Sequence, residues 1–196
     1  MKLSSLVVVL GLFVSCAFGD SWTPATPQTV SSPEGKSLLR TIPPKRLDKE
    51  GKKWSKMLFI VYRLDEGTQD YQETTRFHVE GNPLDCFIND TGDRIATLDQ
   101  YFGVGQGSRV VAVYNGKGTE LKTWALKDFY DGKKIGHLPN TTSSVLWHGS
   151  TGWTGDQEAI YLSKPDLLVE KGIAFDDYLL DVRKLKITKK KPVVFK

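Results

Sequence analysis

Asn89-Asp90-Thr91-Gly92-Asp93-Arg94-Ile95-Ala96-Thr97-Leu98-Asp99 and, after ten intervening residues, Val110-Val111-Ala112-Val113-Tyr114-Asn115-Gly116 are the stretches that decide the architecture. In the first, a turn former and a glycine stand directly before a run of β-branched and apolar residues; the second is more apolar still and closes on Asn-Gly. Similar turn-bounded runs recur at Ser37 to Ile42, Met57 to Leu64, Thr74 to Val79, Cys86 to Asn89, Leu121 to Ala125, Ser144 to Trp147, Ala159 to Leu162 and Tyr178 to Ile187. Short runs of this composition, punctuated by Gly, Pro, Asn and Asp, are strand signals. The helical candidate is a single turn over Ala125 to Asp131, where Leu126, Phe129 and Tyr130 share a face.

The chain also echoes itself. Glu34 to Thr41 aligns with Thr91 to Leu98 at a spacing of 57 residues, and each copy is followed by further apolar runs. Two units of about four antiparallel strands are therefore expected, with a less regular remainder after Ser143. The expected class is all-β, made of antiparallel blade-like four-stranded units. A closed propeller takes at least about four blades, so the arrangement is read as an incomplete propeller or a β-sandwich.

Three segments carry a resemblance. Asp93 to Asp99 leads into Tyr101, Gly103, Gly105 and Gly107; Val110 to Tyr114 leads into Gly116, Gly118, Leu121 and the Ala125 to Phe129 turn; Leu138, Pro139, Ser143, Ser144 and Trp147 follow. In this order they resemble a group of uncharacterised secreted bacterial proteins whose repeats are similar to β-propeller blades. The resemblance implies a fold and an exported location and brings no activity with it.

Outside that middle, the front of the chain reads as an address. Met1 to Gly19 has one positive charge at Lys2, an apolar run from Leu6 to Val14, and small residues at Ala17 and Gly19, the pattern of a cleaved secretory signal. The expected organisation is a signal peptide at 1–19, one all-β domain at 20–182 and a basic C-terminal tail at 183–196, with no transmembrane segment in the mature chain. Location is expected to be secreted or periplasmic; Phe13-Val14-Ser15-Cys16 gives the weaker reading of a lipoprotein anchored at Cys16. Cleavage would leave Cys86 as the only thiol, placed as a small hydrophobe in a strand-like run.

Charge is uneven. Glu34 to Arg63 holds nine Lys or Arg against three acids, whereas Leu64 to Val182 holds ten against nineteen, and Arg183 to Lys196 holds seven and no acid. Alternating sign along the chain fits internal complementarity better than a single nucleic-acid face. The tail is read as solvated and frayed.

Reactive chemistry is sparse in the sequence. His78, His137 and His148 lack metal-ligand spacing, no Gly-x-Ser-x-Gly elbow is present, and the glycines at 103, 105 and 107 precede neither a Lys-Ser pair nor a helix. No cofactor or metal is expected. The densest cluster is Trp147 to Asp156, in which Trp147 and Trp153, with Tyr101, would offer flat faces to a sugar while His148 and Asp156 supply hydrogen bonds. The favoured expectation is a secreted non-enzymatic domain binding an envelope glycan or protein through its surface, not nucleic acid. Two alternatives stay open: a carbohydrate-binding module using Trp147 and Trp153, and a glycan hydrolase whose carboxylates converge from separate strands.

Overall fold

The structure, a computed structural model, describes residues 23–50, 52–165 and 174–190. The expected leader at Met1 to Gly19, the Cys16 anchor and the last residues of the expected tail lie outside that range.

Ser32, Asn89 and Thr154 each open the same turn. The N–H of the first residue donates to the carbonyl five positions on, at 2.9 Å for Ser32 to Ser37, 3.2 Å for Asn89 to Arg94 and 2.9 Å for Thr154 to Ala159. The first side chain then accepts from the N–H of that sixth residue, at 3.0, 3.0 and 3.2 Å in the same order. Ser, Asn and Thr are selected because a short side-chain oxygen reaches the backbone a few residues on. The fourth position is left-handed, with φ of 73° at Gly35, 67° at Gly92 and 56° at Gln157. Glycine adopts that conformation freely, whereas Gln157 is strained there.

Each turn joins the first two strands of a four-stranded antiparallel sheet. The first sheet runs β1 (Gln28–Ser31), β2 (Ser37–Ile42), β3 (Met57–Leu64) and β4 (Tyr71–Val79). The second runs β5 (Pro83–Ile88), β6 (Arg94–Gln100), β7 (Val111–Asn115) and β8 (Glu120–Trp124). The third runs β9 (Thr151–Trp153), β10 (Ala159–Leu162), β11 (Asp177–Asp181) and β12 (Lys186–Lys190). Every strand pairs with its neighbour in sequence, so the fold is all-β and its units are blade-like.

The second sheet is covered on both faces. Ile95, Ala112 and Tyr114 pack with Leu39, Phe59 and Val61 of the first sheet. Ala96, Leu98, Val111 and Val113 pack with Ile160, Leu162 and Leu180 of the third. Since consecutive strand side chains point to opposite faces, β6 from Ile95 to Asp99 and β7 from Val111 to Tyr114 are buried at every position. β7 is accordingly apolar on both faces, whereas β6 buries Thr97 and Asp99 among Ile95, Ala96 and Leu98. Leu126, Phe129 and Tyr130, on a 3-10 turn (Leu126–Asp128) and the loop before a short helix α1 (Gly132–Ile135), seal the join with the third sheet.

Four expectations are corrected. The remainder after Ser143 is not irregular but a third sheet. Ser144 to Trp147 makes isolated bridges, Val104 with Ser144 and Asn140 with Val145, instead of a strand. Tyr178 to Ile187 is a hairpin: Asp181 Oδ1 accepts from the N–H groups of Arg183 (3.0 Å) and Lys184 (2.6 Å) and turns the chain back. The tail is therefore not frayed along its length, because β12 pairs with β11 from Asp177↔Lys190 to Asp181↔Lys186. No helix among the described residues is long and apolar enough to cross a membrane.

Candidate functional site

Two places concentrate polar chemistry, and they differ in what they leave open. The first is built on Asp99, near the end of β6, which is 2% exposed and held at φ 55°. Its Oδ1 accepts from the Gly105 N–H at 2.7 Å and the Trp147 Nε1–H at 2.8 Å. Its Oδ2 lies 3.0 Å from His148 Nε2, and His148 Nδ1 lies 2.8 Å from the Gly149 carbonyl. Both partners of the imidazole are oxygens that accept, an arrangement that favours the doubly protonated ring beside Asp99. Burial opposes that charge, but the hydrogen bonds to Asp99 and Gly149 outweigh it and raise His148 above its ordinary value. Burial also raises the Asp85 carboxyl, with the His148 charge opposing and Asp99 reinforcing. A ring with both nitrogens engaged is not a general base. This cluster ties the glycine loop and the Trp147 segment to β6.

The second place is a cleft of about 870 Å³ between the first sheet and the loops flanking β5 and β6. Its aromatic walls are Trp54, Tyr101 and Phe102, and its polar groups include Lys56, Glu80 and Asn82. Trp54 belongs to a hairpin arm between β2 and β3, in which Arg46 and Trp54 pair across the strands and Leu47 N–H donates to the Lys53 carbonyl at 2.8 Å. Tyr101 and Phe102 follow β6, their rings edge to face with centroids 4.8 Å apart. Tyr101 N–H donates to the Asn82 carbonyl at 2.8 Å, fixing this wall against the β4–β5 link. Phe102 is 65% exposed and sits at φ 65°, a left-handed conformation that a bulky residue adopts only under constraint. Trp54 is 59% exposed.

Glu80 leaves β4 at the cleft and pairs tightly with Lys56. That hydrogen bond, followed by the ammonium charge, holds the Glu80 carboxyl below the usual range. Glu80 is thus an ionised base with a cation at its side, open to solvent beside an apolar wall.

The residues singled out in the sequence separate. Trp147 is 1% exposed and packed on Phe129, ring centroids 4.8 Å apart, so it presents no face to a ligand. Trp153 is half-buried on β9, edge-on to Phe87 at 6.4 Å. Asp156 closes the third turn by accepting from Thr154 Oγ1 at 2.6 Å. His148 joins Trp147 at Asp99, and Tyr101 alone of the five lines the cleft. Trp147 and Trp153 thus form no open pair of aromatic faces; the exposed aromatic side chains at the cleft are Trp54 and Phe102. A sequence signal for Trp54 existed, a lone aromatic within the Lys-rich run Lys45 to Lys56, where no strand pattern calls for one. Phe102 carried no such signal, since only its backbone conformation turns it outward.

Among the described residues, no group of three or more His, Cys, Asp or Glu could hold a metal ion. Burial raises the Cys86 thiol far above its ordinary value, which leaves it an inert filler.

No family model and no curated protein matches the chain. Among solved structures, the chain is similar to the periplasmic gluconolactonase PpgL of Pseudomonas aeruginosa, with 16% identity over 84% of this chain and 42% of that one, at a TM-score of 0.45. The chain thus spans less than half the length of that protein. Glu80 and Lys56, from separate parts of the chain, here meet in one concave site. The expectation of a non-enzymatic domain, which rested on the lack of any clustered reactive set, is overturned.

Proposed function

We propose that the chain is a hydrolase that opens an ester or lactone of a sugar-derived substrate held in the Trp54–Phe102 cleft. One observation carries the reading: an ionised carboxylate, Glu80, its ammonium partner Lys56 and two exposed aromatic faces share one concavity. Aromatic faces take the apolar side of a sugar ring. Among the described residues that line the cleft Glu80 is the one carboxylate, whereas glycosidases position two across the scissile bond, so attack on a carbonyl suits the set better.

In this reading Glu80 takes a proton from a water molecule as its oxygen bonds to the carbonyl carbon. Lys56 stabilises the oxyanion that develops, as fixed positive groups do in acyl transfer. The carbon–oxygen bond to the leaving alkoxide then breaks, and the proton passes from Glu80 to that alkoxide. In this reading the expected leader at Met1 to Gly19 would carry the chemistry outside the cytosol.

The test is turnover of a panel of sugar lactones and aryl esters of sugar acids. Glu80→Gln is expected to lower kcat about a hundredfold or more, the range for loss of a general base. Activity should be level at neutral pH and fall on the acid side with an apparent pKa below the ordinary glutamate value of about 4.5, since Lys56 depresses Glu80. A panel without turnover, or full activity in the Gln variant, overturns the reading.

A further inference from the structure

The cleft is entered past a charged arm, and that arm indicates what the ligand carries. Residues 43–56 hold Lys45, Arg46, Lys49, Lys52, Lys53 and Lys56 against Asp48 and Glu50, in front of a stretch, Leu64 to Val182, in which acids outnumber bases nineteen to ten. The arm's net charge of +4 equals that of the whole chain, and a positive wall of this kind focuses anions onto itself. Within the arm, some of this charge is already matched: Lys52 pairs with Glu50 at 2.8 Å, and Lys56 pairs with Glu80.

Arg46 is differently placed. It stands directly opposite Trp54 in the hairpin, so the two side chains emerge on one face. Its Nη2 donates to the Lys49 carbonyl at 2.6 Å, and a guanidinium has five N–H donors in all. Its planar fork is the side chain best suited to a carboxylate. A ring stacked on Trp54 with its substituent turned toward the opposite strand of the arm would bring that group beside Arg46.

Resting on the cleft as the substrate site, the geometry points to an acidic saccharide, a sugar ring bearing a carboxylate, as the ligand, with Trp54 under the ring and Arg46 on the carboxylate. Neutral sugars leave the arm unused. Single-stranded nucleic acid also stacks and carries charge, but its channels are lined with positive charge along the backbone path, whereas this cleft includes the Glu80 carboxylate.

Calorimetric titration of the full chain tests this with three probes: a galacturonate oligosaccharide, its neutral galactose counterpart of equal length, and single-stranded DNA. Binding is read in the Glu80→Gln background, so that it does not depend on turnover. The acidic oligosaccharide is expected to bind at least about tenfold more tightly than the neutral one, with that margin removed by Arg46→Gln and shrunk by added salt. Trp54→Ala should weaken both sugars. Circular dichroism and unfolding midpoints matching the parent certify each variant as folded. Equal affinity for the two sugars, an Arg46→Gln variant that keeps the margin, or preference for DNA overturns the inference. Binding without hydrolysis of any ester or lactone removes the hydrolase reading and leaves this one standing; hydrolysis of neutral lactones without acidic preference does the reverse.

Discussion

Asp99 is where a single side chain determines most. It is buried, it is strained at φ 55°, and it accepts from Gly105 and Trp147 while facing the His148 cation. Removing one partner of a buried ion pair strands the other, at a cost of about 3 to 5 kcal/mol. Asp99→Ala should therefore lower the urea unfolding free energy by about that amount, measured against the parent by tryptophan fluorescence, which Trp147 itself reports. Asp99 was visible in the sequence only as the polar end of a strand, because its partners lie 48 and 49 residues away. Gly118 teaches the same lesson from the opposite direction: at φ 87°, a Cβ there would overlap the Phe77 ring. Gly118→Ala should destabilise by about 2 kcal/mol or more through combined strain and overpacking, seen as a lower unfolding midpoint.

Among elements, the thrice-repeated turn explains what was and was not legible. Two copies end their turn with Gly35 and Gly92, and that glycine made the echo visible. The third substitutes Gln157, so the repeat disappears from the sequence although the hydrogen bonds remain. The substitution has a reason. The Gln157 side chain donates to one oxygen of Asp90 and accepts from the Asp90 N–H at 2.9 Å, while Glu34 N–H donates to the other oxygen at 3.0 Å. Asp90 thus joins the turns of all three sheets. Gln157→Gly would relieve the strained backbone, worth about 1 kcal/mol, and lose a charge-assisted bond worth about 1.5 to 3. The net expectation is a loss of about 1 kcal/mol in chemical denaturation; a stabilised variant would show that the junction is slack.

At the level of the whole molecule, these groups set a pH window. Burial pushes the Asp90 carboxyl up, but hydrogen bonds from Ser32, Gln157 and the Glu34 and Lys36 backbone outweigh it and leave it below its ordinary value of 3.8. A carboxyl depressed in the folded state stabilises above its unfolded value and loses that contribution as pH falls through the folded one. His148 has the opposite sign: raised above 6.5, it contributes fully below that value, and the contribution fades as pH rises through the folded value. Stability should accordingly fall in acid below about pH 4 and decline again above about pH 6.5. Urea titrations across pH check both limbs; Asp90→Asn should flatten the first and His148→Gln the second.

The sequence by itself determined the short antiparallel strands and two of the three blade-like four-stranded units. Those follow from side-chain periodicity and turn chemistry, which act over a few residues. Only the tertiary structure decided which polar groups meet. Trp147 went to the core and Trp54 to the surface, and Glu80, Lys56 and Tyr101 came together from separate elements. Contacts of that kind depend on how sheets pack against one another, and no local pattern records the neighbour across the gap.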